Sequence, residues 1–389
     1  MCRSEHDDKA DNTTRRHLSH LDGARLLCSS WILMHHHYKP FVGLWVFRAN
    51  LAVNYFIVLS GFVTHFAYGS RELRSWPARR SYYLNRFARV ALSYYFFLAS
   101  HLLLVEALTD GLKNGYKWVD GRGFVSCSHC VHLWQLPNTW LAWLMVDAWT
   151  FTYSPANYGN WAMSTFAFFW IIYPWLSSVL THASNRTLAL VALSSGLPIL
   201  TLLTWPCGVR FTPTYVDMRE QIHVFPLVRL PEFIFGAVLA EAIPRLTPHA
   251  TARVERFGGL IADASFVLVV WAAVFWVAPA GPVSVSSVDQ RFWFYAGMTL
   301  PVGAFILGSS APPPSRGGLV ARVLAHPLLS VPGAVSFQVF LFQRPMGEVF
   351  DALYRWQHGG ANAHHKFEGA FFVAFFVATW AFSWSFARW

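Results

Sequence analysis

Apolar runs long enough to cross a bilayer recur along the chain, at about residues 21–38, 48–68, 90–108, 161–180, 188–205, 224–243, 259–280, 293–310, 324–343 and 367–387. A hydrocarbon core about 30 Å thick takes about 20 helical residues. The pattern predicts an all-α, polytopic membrane protein with about ten transmembrane helices around a central cavity. Residues 138–153 (NTWLAWLMVDAWTFTY) are apolar but short and contain Asp147, so they read as a re-entrant or interfacial segment. The first run, LDGARLLCSSWILMHHHY, is the most polar of the set.

Composition excludes a large soluble body. Only 13% of the 389 residues are charged and 54% are hydrophobic, against about 25% charged in soluble domains. The net charge of +10 sits at the ends of the apolar runs, which points to membrane topology before nucleic acid. Arg71, Arg74, Arg79, Arg80, Arg86 and Arg89 crowd the segment after the second run, and Arg245, Arg253 and Arg256 follow the sixth. The positive-inside rule places both clusters, and both termini, in the cytosol. Counting 138–153 as a full span would throw the second cluster to the far side. The chain divides into a polar cytosolic segment, 1–20, which does not read as a signal peptide, and a transmembrane domain, 21–387. Asn12 and Asn185 head N-x-S/T sequons on the cytosolic side and are expected to stay unmodified.

Within the first run Arg25 and His36 are eleven helical steps apart, which returns them to nearly one face with the imidazole about 16 Å deeper. Were Arg25 at the inner boundary, His36 would lie near mid-membrane, where an ionisable group marks a functional site. The alternatives are a boundary anchor for Arg25, with Asp22 as its ion-pair partner, and a histidine satisfied by a neighbouring helix. Ser60 and Asn54 are polar residues inside the second run. Ser60-Gly61-Phe62 has no G-x-S-x-G elbow around it, so close helix packing is the better reading. Arg229 and Glu232, three apart in VRLPEF, either neutralise each other or line a cavity. Cys127, His129, Cys130 and His132 crowd four potential ligands into six residues, too close for a tetrahedral zinc site, and no metal is expected.

The ordered set LDGARLLCSSWILMHHH, FIVLSGFVTHFAYG, RFAR, NWAMSTFAFFWIIYP, VRLPEFIFGAVLA and HPLLSVPGAVSFQVFLFQRP resembles the acyltransferase-3 family of membrane O-acyltransferases over about residues 20–387. That resemblance implies transfer of an acyl group from acyl-CoA, with acetyl-CoA the first candidate, to a hydroxyl of a carbohydrate or lipid-linked acceptor. It implies His36 and Arg25 as the catalytic pair, His36 taking the acceptor's proton. It implies Arg86 and Arg89, three apart on one face, as guanidinium forks for the coenzyme's phosphates. It sets Ser60, Asn54, Arg229, Glu232 and Gln343 on the acceptor side of the cavity. Three positions depart from the family pattern: Phe166 stands where Glu is usual, Gln343 where His is usual, and Leu92 where Pro is usual. The competing expectation is therefore a catalytically impaired relative that handles a lipid or solute in the same fold.

Overall fold

The computed structural model describes residues 17–38, 49–108, 115–119, 123–127, 137–149, 161–197, 224–275, 286–311, 317–358 and 366–388. Helices dominate. α1 (Ser19–His37), α2 (Asn50–Tyr68) and α3 (Trp76–Leu108) precede a small antiparallel hairpin, β1 (Gly115–Val119) with β2 (Gly123–Cys127), and the short α4 (Pro137–Trp143). α5 (Trp161–His182), α6 (Asn185–Gly196), α7 (Pro226–Ala242), α8 (Pro248–Phe275) and α9 (Ser286–Ser310) continue the chain. α10 (Leu319–Leu324), α11 (Pro327–Gly333), α12 (Ser336–Gln357) and α13 (Gly369–Phe386) complete it.

Among the described residues, five helices are long and apolar enough to cross a membrane: 50–68, 76–104, 161–182, 248–275 and 369–386. α8 shows what such a surface looks like, with Leu260, Val267, Trp271 and Phe275 all exposed. Side chains of this kind are stable facing acyl chains and unstable facing water. α1 falls outside the five because its apolar positions are interrupted by Asp22, Arg25 and the three histidines.

Several expected boundaries move. The basic segment and the third run form one helix, so Arg79, Arg80, Arg86 and Arg89 lie on α3 itself. The run at 324–343 is not one span. Pro327 opens α11, α11 ends at Gly333, and α12 then runs unbroken from Ser336 to Gln357. Proline lacks an N–H and disfavours helix in the residue before it, which explains the first break. Of the run at 188–205, α6 accounts for the residues up to Gly196, and the run beyond Leu197 lies outside the described residues. Residues 137–149 form only the seven-residue α4 and a 3-10 turn at Asp147–Trp149, with Asp147 buried.

The centre of the bundle is the contact between α2 and α7. A Cβ on Gly61 would strike the Phe233 carbonyl, and one on Gly236 would strike the Val58 carbonyl. Only glycine lets the two backbones approach so closely. The helices run parallel: Asn54 lies by Glu232, Val58 by Gly236 and His65 by Glu241, in the same order along both. At the last of these levels His65 Nε2 sits 2.6 Å from Glu241 Oε2 and His65 Nδ1 3.1 Å from the Tyr173 hydroxyl. Arg245 joins the same carboxylate and also donates to the carbonyls of Leu180, Thr181 and Ala183, closing the end of α5.

α1 and α12 form a second parallel pair. The Ser29 hydroxyl donates to the Ser336 carbonyl, and seven residues further along each helix His36 meets Gln343. His36 is in the last turn of α1. The chain entering α13 ties that end down: Phe367 N–H donates to the His37 carbonyl at 2.8 Å and Lys366 Nζ to the His35 carbonyl at 2.7 Å. His37 turns away from His36 and packs 4.6 Å from the Phe375 ring.

Two outcomes follow for stability. Gly61→Val or Gly236→Val is expected to leave no monodisperse folded protein in detergent, because a backbone carbonyl cannot move aside. Gly297→Ala, whose added Cβ meets nothing within 4 Å, is expected to be neutral or stabilising by up to about 1 kcal/mol; size-exclusion and thermal unfolding read both. Burial, and after it the Arg344 guanidinium, lower the Lys366 ammonium from 10.5 to about 8. Between about pH 8 and 10.5 the unfolded chain then holds a proton that the folded one has released, so stability contributed by this group rises with pH across that window. The melting temperature of the native chain should gain on that of Lys366→Met between pH 8 and 10, and a constant difference would refute the assignment.

Candidate active site

His36 is the residue around which chemistry can be built. Its Nδ1 lies 3.0 Å from Gln343 Oε1, and Gln343 Nε2 donates to the Phe340 carbonyl at 2.8 Å. A carbonyl only accepts, so the amide end facing Phe340 must be the NH2 and the end facing His36 must be the oxygen. That oxygen in turn requires Nδ1 to carry the hydrogen. In the neutral ring the lone pair is therefore on Nε2, which makes no hydrogen bond among the described residues. The ring is only half-buried, so it keeps accessible surface although it lies between α1 and α12.

Around it stand two cations, Arg344 and Lys366, and a second imidazole, His35. Arg344, His35 and Lys366 all act electrostatically on His36. Lys366 is placed by its bond to the His35 carbonyl, and Arg344 follows Gln343 on α12 and makes interactions of its own. Sequence reasoning singled out Gln343 but missed Phe340 and Lys366. No local signal marks them: one contributes only its backbone, and the other arrives from a segment over three hundred residues away.

At the opposite end of α1 Arg25 Nη1 donates to Asp22 Oδ1 at 2.7 Å, the i, i+3 ion pair that the spacing suggested. His17 sits 3.1 Å from the other carboxylate oxygen. Asp22 and His17 line a cavity of about 300 Å³ with Ser330, Val335, Trp384 and Arg388. Arg25 and His36 thus occupy the two ends of one helix, and this cavity belongs to the arginine's end.

Arg86 and Arg89 share a helix but not an environment. Arg86 Nη2 donates to the Thr64 hydroxyl at 2.7 Å and its guanidinium carbon lies 5.2 Å from the Tyr68 ring centroid. Its Nε is buried without a hydrogen bond, as is the Tyr82 hydroxyl one turn earlier. Arg89 is exposed. The structure thus holds one guanidinium against the bundle and leaves the other free to swing.

Asn54, Arg229 and Glu232 come together deep between α2, α7 and α9. Arg229 Nη1 donates to Glu232 Oε1 at 2.8 Å and Asn54 Nδ2 to the Thr299 hydroxyl at 2.9 Å. All three residues are at most 5% exposed. Ser60 stands apart: it is half-buried, and its neighbour Gly61 makes the backbone contact. Phe166, at the position where a carboxylate was expected, stacks on Trp170 with ring centroids 6.1 Å apart and packs against the same apolar clusters as Phe340. Of the C-S-H-C-V-H run only Cys127 is among the described residues, and among those residues no group of three His, Cys, Asp or Glu could hold a metal.

A family model described as an acyltransferase domain matches residues 18–388, nearly the whole chain. No curated protein and no solved structure matches. The match runs through α1 with His36, α2 and α7 with their glycine contact, and α12 with Gln343, so the elements that build the site are the elements of the family. The chain belongs to the acyltransferase-3 family of membrane acyltransferases.

Proposed function

We propose that this protein is an O-acyltransferase that moves an acyl group from acyl-CoA, acetyl-CoA first among candidates, to a hydroxyl of a carbohydrate or lipid-linked acceptor. The observation that carries the reading is the oriented imidazole of His36. With Nδ1–H bound to Gln343, Nε2 is the only ring atom able to take a proton, and it is the one left unpaired. The acceptor O–H gives its proton to Nε2 while its oxygen attacks the thioester carbonyl. The tetrahedral oxyanion collapses, the C–S bond breaks, and the departing thiolate takes the proton from the imidazolium. Gln343 holds the tautomer through both transfers, and the positive groups near His36 favour the negative charge that develops.

Arg89, exposed on α3, and Arg86 beside it are assigned to the phosphates of the coenzyme, and Arg25 to the donor's entrance beside the 300 Å³ cavity. The proposed topology has ten crossings, a cytosolic segment at 1–20 and both termini cytosolic. The parallel course of α1 with α12, and of α2 with α7, supports it, because each parallel pair demands an even number of crossings from the start of one helix to the start of the other. Phe166 favours a second reading, a relative that binds acyl-CoA without turning it over, since an aromatic ring stacked on Trp170 replaces a carboxylate.

Release of free coenzyme A by the purified chain in detergent separates the two. His36→Ala should reduce release at least about 100-fold, the lower range for a general base. Gln343→Leu should cut kcat by about 10-fold to 100-fold with the KM for acyl-CoA unchanged, and Gln343→His, which again offers an acceptor to Nδ1–H, should restore part of it. Turnover that survives His36→Ala removes the base from the reading, whereas acyl-CoA binding without release in the native chain establishes the second one.

A further inference from the structure

Residues 71–80 carry four arginines and one carboxylate, Glu72, and the fold holds two of the arginines in place. Leu73 is buried in the cluster that contains Tyr82, Phe169 and Tyr173, which pins this stretch to the bundle. Its carbonyl accepts from Arg79 Nε at 2.8 Å, and the Arg79 guanidinium carbon lies 5.1 Å from the centroid of the Trp175 ring. Arg74 Nη2 lies 2.7 Å from His182 Nε2. The Ser178 carbonyl, 2.7 Å from His182 Nδ1, only accepts. Nδ1 therefore carries the hydrogen, and Nε2 of the neutral ring accepts from Arg74. Arg80 is exposed and has no such hold among the described residues.

Arg25, Arg229 and Arg245 are held differently, by the carboxylates of Asp22, Glu232 and Glu241, which compensate their charge on the spot. A backbone carbonyl and a neutral imidazole orient Arg79 and Arg74 without neutralising them. Among the described residues Glu72 makes no ion pair with either. With Nε engaged, Arg79 keeps the parallel N–H groups of Nη1 and Nη2 at its free end, and neither nitrogen makes a hydrogen bond among the described residues. That end-on fork suits two oxygens of one phosphate.

The surroundings select which phosphate. α3 and α5 run antiparallel: Arg74 meets His182, Arg79 meets Trp175 and Tyr83 meets Ile171. Both guanidinium groups thus sit where α3 begins and α5 ends, at the edge of two helices long and apolar enough to cross a membrane. Trp76 and Trp175 are exposed there, and so is Ile171, one turn further from the end of α5. Indole rings favour the headgroup level of a bilayer, and an isoleucine exposed beyond them faces acyl chains. A free phosphate gains nothing from that apolar flank, whereas a lipid lays its chains along it. A zwitterionic headgroup brings an ammonium that uncompensated arginines repel, and a lipid of net negative charge does not.

We propose that Arg79, Arg74 and Trp175 form a site for the phosphate of an anionic glycerophospholipid, in the leaflet where α3 begins. Arg79 donates the paired N–H bonds, Trp175 keeps its guanidinium flat, and Arg74 is the second cation against the headgroup. Acyl transfer is not needed for this site, and Arg86 and Arg89 lie outside it.

Native mass spectrometry of the full chain in detergent, titrated with dioleoyl phosphatidylglycerol or dioleoyl phosphatidylcholine, tests the site. The first phosphatidylglycerol should bind at least about tenfold tighter than phosphatidylcholine, and Arg79→Gln should weaken it by at least that factor. Arg80→Gln removes the same charge from an unheld side chain and should weaken it less than about fivefold. Arg79→Lys keeps the charge but not the fork, should still weaken binding at least about threefold, and serves if Arg79→Gln does not fold. Equal affinity for the two lipids, equal losses in Arg79→Gln and Arg80→Gln, or native affinity in a folded Arg79→Lys overturns the proposal and leaves a diffuse basic surface. Displacement of phosphatidylglycerol by equimolar inorganic phosphate or acetyl-CoA overturns it too, giving the fork to free phosphate or to the acyl donor.

Discussion

Everything in this molecule is referred to the contact between α2 and α7, where two glycines let backbone touch backbone. Helices in a membrane gain little from burying apolar surface against each other, because lipid is as apolar as leucine. What holds them is close packing and polar groups that find partners. α2 and α7 use both. At one end of the contact His65, Glu241, Arg245 and Tyr173 form a fully engaged network that also closes α5. At the other end Asn54, Arg229 and Glu232 form an unfinished one. The same pair of helices thus carries a fully paired polar level and a partly paired one, both buried.

The second parallel pair, α1 with α12, works on a different principle. Its spacing is set by two contacts seven residues apart, one through a backbone carbonyl and one through the Gln343 amide. The amide is constrained at both ends, so it leaves the imidazole no choice of tautomer. Glutamine here does with a neutral group what a histidine would do with a titratable one: it accepts from Nδ1 at any pH. Phe166 and Phe340 pack against the same clusters, and the Phe340 carbonyl is what orients Gln343. Two of the three departures from the family pattern, Phe166 and Gln343, therefore share a neighbourhood.

Much of this was legible in the residues. Run lengths and arginine positions were enough for an all-helical membrane protein, and the Asp22–Arg25 and Arg229–Glu232 pairs follow from i, i+3 spacing alone. Helix boundaries were less legible. The apolar run at 324–343 hid a proline-opened break, since hydropathy averages over the missing N–H of Pro327. The basic stretch before residue 90 read as a segment between two runs, yet α3 begins at Trp76 and carries most of it together with the third run. Least legible were partners supplied from far along the chain. Asn54 beside Glu232, Thr64 beneath Arg86 and Lys366 over His35 are set by helix packing, and no local pattern encodes them.

Arg86 shows why position in a motif does not settle a role. Spacing puts it on one face with Arg89, and from sequence the two are equivalent. In the fold Arg86 is held by Thr64 and lies near Tyr68, whereas Arg89 is exposed. Under the donor reading proposed above, a guanidinium already half-buried and oriented by Thr64 loses little freedom when a phosphate arrives. An exposed one must surrender both its hydration and its rotamers, so it contributes to capture more than to placement. The pair divides into an anchored site and a mobile one, and the anchored arginine is the one whose position the α2–α7 core dictates, because Thr64 and Tyr68 both lie on α2.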